Sequence, residues 1–491
     1  MKRTLRMAAW TVAIGMGATA VLAATKPNVL FFAVDDLRPE LGCYGHAHIH
    51  SPNLDRLAKA GVVFNRAYCQ QAVCSPSRTS LLTGARPDTT KVYDLETHFR
   101  TKIPDVVALP EHFKKNGYFV QGMGKLYHGS LDDPQSWSVP WTSPKSSHGA
   151  YAIEANRAIV ARKVAETKAL KAAGKKPVRT RDYGPPTECA DVPDATYHDG
   201  ALAEMAVAAL REVAAKKQPF WLGVGFIRPH LPFVAPKRYR DLYDPAKIDL
   251  APNPFRPRGA PEYAVQEGGE LRTYDGVPKG HLPDDMARTL KHGYYASISY
   301  MDAQVGKVLD ELDRLGLRES TIVVLWGDHG WKLGEHDAWC KHSCVENDTH
   351  APLLVSVPGM KAAGARTDAL VEFVDIYPTL ADLCGLPLPS HLEGASFKPV
   401  LDDPKRPWKP AAFSQYPRGK LMGYTMRTDR HRFTMWVDSK DHSKVDAVEL
   451  YDHPTDPQEN ENIAGRADMA ATVEKLTARL RAGWKAALPP R

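Results

Sequence analysis

The sequence lacks the marks of several protein classes. No window beyond its first 24 residues is apolar enough to cross a bilayer, so we expect no stable membrane insertion by the rest of the chain. The formal net charge of +7 is a mild excess for 491 residues and does not indicate nucleic acid as a partner. No CxxC pair with partner histidines indicates a zinc site. The remaining composition, 43% hydrophobic and 25% charged, is that of an ordinary globular protein.

The N-terminus has the pattern of a secretory signal peptide. A basic start is followed by an apolar stretch from Met7 and by small residues at Val21 and Ala23. We therefore predict that residues 1–24 are a cleaved signal peptide and that the protein is exported, to the periplasm or fully secreted. An uncleaved membrane anchor is the alternative, because the apolar stretch approaches the length of a spanning helix. The seven cysteines of an exported chain leave at least one thiol unpaired.

Apolar runs alternate with amphipathic segments over most of the chain. Residues 28–34, 220–226 and 321–326 are nearly continuous runs rich in β-formers, as in strands that are buried on both faces. Helical patterns lie between them, which predicts an α/β fold with a large, mainly parallel sheet sandwiched by helices. From residue 411 onward, short strand-like runs precede a final helix. We interpret residues 25–410 as the main domain and residues 411–491 as a smaller C-terminal α+β subdomain.

The stretch from residue 157 to residue 181 is strongly basic. It holds nine Lys or Arg residues against one acid, Glu166. One interpretation is a binding surface for a polyanionic substrate, and the other is a solvated surface helix and loop. The sequence leaves both interpretations open.

Side chains that bind metals follow two of the predicted strands. Asp35 and Asp36 come directly after the first strand, and Asp328 and His329 follow the strand that begins at residue 321. Open α/β sheets place their active sites beyond the carboxyl ends of the strands, so we expect these four side chains to meet. Three carboxylates favour an oxygen-liganded cation, Ca²⁺ first and Mg²⁺ as the second choice. Either pair taken alone could be a helix cap or a turn.

The most specific motif is C-x-P-S-R, which runs from Cys74 to Arg78 and continues into LLTG, ending at Gly84. Pro76 suits the first turn of a helix, which places Cys74 at a positive helix N-terminus. Taken alone, Cys74 could be a disulfide partner. The motif with its LLTG continuation resembles the signature of the type I sulfatases, in which this cysteine is oxidised to Cα-formylglycine.

Four further side chains lie in distinctive segments. Lys125 and His128 belong to GKLYH, His230 belongs to GFIRPHLPF, and Lys341 ends DHGWKLGEHDAWCK. Taken singly, such residues are more often surface lysines or packed histidines. Together and in this order, the segments resemble the iduronate-2-sulfatase branch of the family over roughly residues 27 to 465.

This resemblance implies an alkaline-phosphatase-like fold and an exported sulfatase. The expected reaction is hydrolysis of the 2-O-sulfate on a uronic acid of a glycosaminoglycan or related polysaccharide fragment. Two departures bear on the substrate: His342 stands where the resembling enzymes tend to have Tyr, and residues 137–193 have no clear counterpart. Alternatives are a sulfatase for another ester (another sugar position, choline sulfate or an aryl sulfate) and a phosphonate or phosphate-ester hydrolase of the same superfamily. A non-catalytic polyanion-binding protein with an unconverted Cys74 is an alternative from another class.

The resemblance also implies partners and residue roles. The partners are a sulfated saccharide as substrate and a maturation enzyme that generates the formylglycine. Lys341 competes with His230 for the role of general acid toward the departing sugar alcohol. By resemblance, Cys74 after conversion is the nucleophile and Arg78 is the cation that orients it. Lys125 and Lys341 bind the sulfate, His128 is the base and His230 is the acid. The metal ligands implied by the resemblance are Asp35, Asp36, Cys74, Asp328 and His329.

Overall fold

The computed structural model describes residues 26–145, 150–175 and 183–489. The predicted signal peptide, residues 1–24, lies outside the described residues, as do residues 176–181 of the basic stretch. None of the described helices combines the length and the apolar character needed to span a bilayer.

Strands and helices alternate along the chain, as the sequence predicts. The strands are β1 (Asn28–Val34), β2 (Val62–Phe64), β3 (Ala67–Tyr68), β4 (Phe119–Gly124), β5 (Thr187–Ala190), β6 (Phe220–Phe226), β7 (Phe233–Pro236), β8 (Thr321–Gly327), β9 (Leu353–Ser356), β10 (Arg366–Thr367), β11 (Val371–Glu372), β12 (Ala412–Arg418), β13 (Leu421–Arg427), β14 (His431–Asp438) and β15 (Val445–Asp452). The helices are α1 (Pro52–Lys59), α2 (Cys74–Thr83), α3 (Pro87–Thr90), α4 (Leu109–Lys115), α5 (Glu154–Ala172), α6 (His198–Ala214), α7 (Lys237–Arg240), α8 (Asp284–Arg314), α9 (Glu346–Thr349), α10 (Ile376–Leu383), α11 (Lys398–Asp402) and α12 (Ala470–Ala482).

A central sheet of seven strands has the order β10-β2-β9-β8-β1-β6-β4. β1 runs parallel to both of its neighbours, β6 and β8, and β4 runs parallel to β6. β9 runs antiparallel to β8, because the connection between them stays at the carboxyl end of the sheet. The prediction of a large, mainly parallel sheet between helices is confirmed.

The central strand β1 explains why the apolar runs are continuous. Leu30, Phe32 and Val34 join the hydrophobic cluster that α6 and α8 complete. Phe31 and Ala33 join the cluster on the opposite face, to which α2, α4 and α10 contribute. Successive strand residues point to opposite faces, so a strand covered on both faces is apolar at every position.

The C-terminal part is built on a second sheet, in which β12 to β15 lie antiparallel in chain order. Leu476 of α12 joins Met426, Phe433 and Leu450 in the cluster that covers one face of this sheet. This arrangement confirms a small C-terminal α+β unit, whereas the boundary after residue 410 stays a prediction.

The described part of the basic stretch lies mostly on α5, which has no buried residue. Among its cations, Lys163 pairs with Asp275 at 2.9 Å between Nζ and Oδ1. The exposed helix agrees with the interpretation of a solvated surface element, and it leaves the polyanion-binding interpretation open.

Candidate active site

The strand ends bring the predicted metal ligands together. Val34 is paired with Gly327 in the register of β1 and β8, so Asp35 and Asp328 leave neighbouring strands side by side. The backbone N–H of Asp36 donates to Asp328 Oδ1 at 3.0 Å. All three acids are fully buried. The expectation that the two acidic strand ends meet is confirmed.

Cys74 begins α2 and points at this cluster. Its Sγ atom lies 3.3 Å from Asp35 Oδ1 and 3.3 Å from His329 Nε2. Pro76 occupies the first turn of α2, as predicted, so the positive end of the helix faces the acids. Cys74 is a free thiol, as are the other six cysteines, so a disulfide at this position is excluded here. Burial, followed by the charge of Asp35, raises the pKa of the thiol well above its ordinary value.

Arg78 lies one turn further along α2 and is buried. Its Nε atom donates to Asp328 Oδ2 at 2.9 Å, and Nη2 lies 3.5 Å from Asp35 Oδ1. Nη1 donates to the carbonyls of Lys125 and Leu126. The guanidinium group therefore spans the two strand ends and ties them to the segment after β4.

Lys125 enters the site directly after β4. Its ammonium group contacts Asp35 Oδ2 and lies 4.0 Å from Cys74 Sγ. The Lys125 backbone passes close to Gly225 of β6, where a Cβ atom would come within 2.2 Å of it. Only glycine at position 225 permits this approach, so β6 helps to set the depth at which the ammonium group lies.

Lys341 reaches the same cluster from the long connection between β8 and β9. Its Nζ atom donates to Asp36 Oδ1 at 2.8 Å and to Asp36 Oδ2 at 3.0 Å. A third contact, at 3.2 Å, goes to Glu270 Oε2. Burial opposes the charged form, but Asp36 and its other anionic neighbours outweigh it and raise the pKa of Lys341 well above its ordinary value.

His230 lies in the loop between β6 and β7. Its Nε2 atom is 3.2 Å from Glu270 Oε1 and 3.8 Å from Asp36 Oδ2, and its Nδ1 atom is 2.6 Å from the Leu231 carbonyl. Burial lowers the pKa of His230 to about 4, although Glu270 raises it. The loop is anchored by Asp199, whose carboxylate accepts the backbone N–H of residue 227 at 3.0 Å and of residue 228 at 2.7 Å.

His128 makes no hydrogen bond through Nδ1, which is buried without a partner among the described residues. Burial, followed by the charge of Lys125, lowers the pKa of His128 to about 3. A cavity of about 350 Å³ is lined by His128, His230 and Lys125, with Trp141 and Tyr127 among its walls. The two predicted proton-transfer residues therefore share one cavity.

Glu270 is a site residue that the sequence motifs do not indicate. It lies between α7 and α8 in a segment that matches no motif, yet it contacts both His230 and Lys341. Burial raises its pKa, but Lys341 and His230 outweigh this effect and hold it below its usual range. A neighbouring glycine, Gly268, packs so closely against Cys340 that a Cβ atom would lie 2.3 Å away, which brings this segment next to Lys341.

The two acids after β1 differ in their affinity for protons. Burial raises the pKa of Asp35, but the surrounding cations, Lys125 foremost, outweigh it and hold the pKa well below its usual value. Burial raises the pKa of Asp36 to about 7, although Lys341 lowers it. Crowded buried carboxylates of this kind are stabilised by a bound cation.

Donor atoms for such a cation converge on Cys74. One atom each of Asp35, Cys74, Asp328 and His329 lies within 4.8 Å of the other three, and all four residues are buried. Asp36 lies beside them, its Oδ1 atom 3.6 Å from His329 Nε2. Carboxylate oxygens outnumber nitrogen donors in this set, which suits a hard divalent cation such as Ca²⁺ or Mg²⁺. The residues present therefore fit the cation that the sequence predicts.

Comparison with known proteins identifies the family. The family model described as Sulfatase matches residues 27–386. The chain belongs to the sulfatase family. A further model, described as N-sulphoglucosamine sulphohydrolase, C-terminal, matches residues 334–485 of this sulfatase. The protein is thus a hydrolase of sulfuric esters.

The resemblance to the iduronate-2-sulfatase branch is confirmed. This sulfatase is 34% identical to iduronate 2-sulfatase of Mus musculus, over 96% of this chain and 97% of that protein. It is 35% identical to iduronate 2-sulfatase of Homo sapiens, over 92% of this chain and 94% of that protein.

Solved structures share the fold. BT4656 in complex with its substrate D-glucosamine-2-N,6-O-disulfate matches with a TM-score of 0.74 at 22% identity, over 94% of this sulfatase and 98% of that chain. BT1596, a 2-O GAG sulfatase, matches with a TM-score of 0.65 at 22% identity, over 93% and 91%. The alkaline-phosphatase-like fold that the sequence implies is therefore confirmed.

Proposed function

We propose that this sulfatase removes the 2-O-sulfate from a uronic acid of a glycosaminoglycan or a related polysaccharide fragment. The observation that carries the proposal is the convergence of the metal-binding side chains, Lys125 and His230 on one buried cluster around Cys74, beside the cavity that His128 lines. Identities of 34% and 35% to two iduronate 2-sulfatases along nearly the whole chain support the same substrate. The structural neighbour BT4656, in complex with its sulfated glucosamine substrate, supports a sulfated saccharide as the substrate class.

Maturation, a cation and export belong to the proposal. Cys74 would be converted to formylglycine by a maturation enzyme, and the four strand-end side chains would hold Ca²⁺, or Mg²⁺ as the second choice. When bound, the cation supplies positive charge to the sulfate and to the oxygen nucleophile. The N-terminal pattern of residues 1–24 supports export, and N-terminal sequencing of the exported protein tests it.

The cations of this chain are suited to binding a sulfate group. Arg78 pairs with the carboxylates of Asp35 and Asp328 and holds them in place. The ammonium group of Lys125 lies 4.0 Å from Cys74 Sγ. The ammonium group of Lys341 donates to the carboxylate of Asp36. An ammonium group has three N–H donors. Lys125 can therefore hold Asp35 and still donate to a sulfate oxygen, whereas Lys341, which contacts both Asp36 and Glu270, would turn one of its three N–H groups to the sulfate.

His230 is our candidate for the general acid that protonates the departing sugar alcohol. When Nδ1 donates to the Leu231 carbonyl, Nε2 is the atom that gains and loses the mobile proton. Glu270 favours the protonated form of Nε2 from 3.2 Å away. Burial opposes that form, which keeps Lys341, an ammonium group on the same Glu270, as the competitor for the role.

His128 is our candidate for the base that takes a proton in the second half of the reaction. Its imidazole is neutral at neutral pH, and the buried Nδ1 atom has no partner among the described residues. The cavity that it shares with His230 has about 350 Å³, within the range of small-molecule sites. The sugar ring would lie there, between the acid and the base.

The deciding experiment compares sulfate release from a 2-sulfated uronosyl disaccharide with release from a matched 6-sulfated hexosamine disaccharide. The protein used should first show the aldehyde mass in its Cys74 peptide. Faster release from the uronosyl substrate is the expected result. Faster release from the hexosamine disaccharide, or release from an aryl sulfate alone, would agree with sulfatase activity but contradict the proposed 2-sulfated uronic acid substrate.

A sulfatase for another ester is the second candidate, and His342 favours it. This residue follows Lys341 directly at the site, where the resembling enzymes tend to have Tyr. Its ring lies 6.0 Å from the ring of Tyr416, so a sugar approaching this side meets a different surface. Restoring the aromatic hydroxyl with His342→Tyr and measuring the ratio of the two disaccharide activities separates the candidates.

A further inference from the structure

A second group of metal-binding side chains lies outside the active site, between β1 and α1. Glu40, His46 and His48 each offer one donor atom, and these atoms lie within 4.8 Å of one another. We propose that this group binds a divalent transition metal, with Zn²⁺ as the first choice. The proposal is independent of the substrate and of the catalytic cation.

Glu40 supplies the negative charge of the site. Its Oε2 atom is held by Arg38 Nε at 3.1 Å, and its Oε1 atom accepts the hydroxyl of Tyr295 at 2.8 Å. The Nε2 atom of His48 lies 3.2 Å from the same Oε1 atom. Burial raises the pKa of Glu40, but Arg38 and His48 outweigh it and hold the pKa below its usual range. The carboxylate is therefore charged, and Oε1 faces the imidazoles.

Arg38 pairs with a second carboxylate besides Glu40, so its positive charge does not prevent a cation from binding beside Glu40. Its Nη1 atom pairs with Glu335 Oε1 at 2.8 Å and also donates to the Trp331 carbonyl at 3.2 Å. Two carboxylates, Glu335 and Glu40, thus face one guanidinium group. The charge of Lys291 also acts on Glu40, so two cations and two carboxylates balance near the point where Glu40 meets the histidines.

The two imidazoles approach Glu40 from a tight turn. The N–H of His46 donates to the Leu41 carbonyl at 3.1 Å, and the N–H of Ile49 donates to the His46 carbonyl at 3.0 Å. The rings of His46 and His48 cross at 82° with their centroids 5.8 Å apart. Burial lowers the pKa of His46, which favours the neutral imidazole, the form that binds metals.

The donor types select the metal. Two imidazole nitrogens and one carboxylate form a borderline-soft set that suits Zn²⁺, unlike the oxygen-rich set around Cys74. Metal bonds of about 2.0–2.2 Å require the donors to draw closer, and the His48 side chain, which is 53% exposed, has room on its solvent side for this shift. A cavity of about 140 Å³, lined by Glu40, His46, Glu346 and His350, opens beside the group and gives room for a water ligand.

The test is a zinc titration of the full chain by calorimetry, in excess Ca²⁺ so that the catalytic site is occupied. The wild-type protein should bind one more equivalent of Zn²⁺ than His46→Gln/His48→Gln, or bind that equivalent at least about tenfold more tightly. Zinc that enters the site at Cys74 gives the same signal in both proteins and cancels in the comparison. Titration with Co²⁺ gives a second readout, because imidazole ligation should produce visible absorption that the double variant lacks.

His50→Gln is the matched control. It removes the next histidine of the same tract, whose ring packs on Tyr243 at 5.2 Å and which is not among the three donors. This variant should bind zinc as the wild-type protein does. Thermal unfolding without zinc should be the same for all three proteins, which shows that the variants fold. Equal zinc stoichiometry and affinity in the double variant, or equal loss in His50→Gln, would overturn the proposal.

Discussion

Replacing Glu270 by Gln tests the proposed proton donor most directly. The carboxylate lies 3.2 Å from both His230 Nε2 and Lys341 Nζ, and an amide keeps its size while removing its charge. A hydrogen bond to a charged group contributes about 1.5–3 kcal/mol. Because about 1.4 kcal/mol in a barrier is a factor of ten, we expect kcat on the saccharide to fall roughly 10- to 100-fold.

The assay compares the saccharide with an activated aryl sulfate over a range of pH. The loss of Glu270 lowers the pKa of His230 further, so the acid loses its proton at lower pH and the alkaline limb of the saccharide profile should move to lower pH. The aryl sulfate needs little help from an acid and should lose less activity. Glu262→Gln, an exposed position in the same segment, is the control and should match the wild-type protein. Equal losses on both substrates, with an unmoved alkaline limb, would refute the reasoning.

Three further predictions concern the nucleophile, the acid and the core. Cys74→Ser should trap sulfate covalently or be inactive, because a serine ester cannot collapse to an aldehyde; mass spectrometry of the intact protein detects the adduct, and full multiple turnover contradicts the scheme. His230→Ala should reduce activity on poor leaving groups more than on an aryl sulfate, and an equal loss on both excludes it as the acid. Lys409→Met should lower the free energy of unfolding by about 3–5 kcal/mol, since it leaves the buried carboxylates of Glu372 and Asp375 without the ammonium group that lies 2.8 Å and 2.6 Å away. Urea denaturation measures this loss, and an unchanged midpoint would show that the ion pair does not stabilise the fold.

The parts of the fold that could be predicted are those in which burial leaves a local trace. β1, β6 and β8 are apolar at nearly every position because helices cover both faces of the sheet. β12 left no such trace, because polar side chains face the main domain there. Ser414 donates to the Cys69 carbonyl, and the N–H of Gln415 donates to the Gln70 carbonyl at 2.8 Å. The strand order and the antiparallel course of β9 also depend on contacts between distant segments, which periodicity does not record.

The candidate site divides in the same way. The sequence by itself determined the fold class, the reaction class and the meeting of Asp35 with Asp328, because parallel strands end at a common edge and because the motifs are specific. Only the tertiary structure decided that Glu270 joins Lys341, a residue 71 positions away, and that it also contacts His230. Such pairings arise where loops from separate elements pack together. The charged neighbours of each side chain are then set by this packing and not by the residues next to it along the chain.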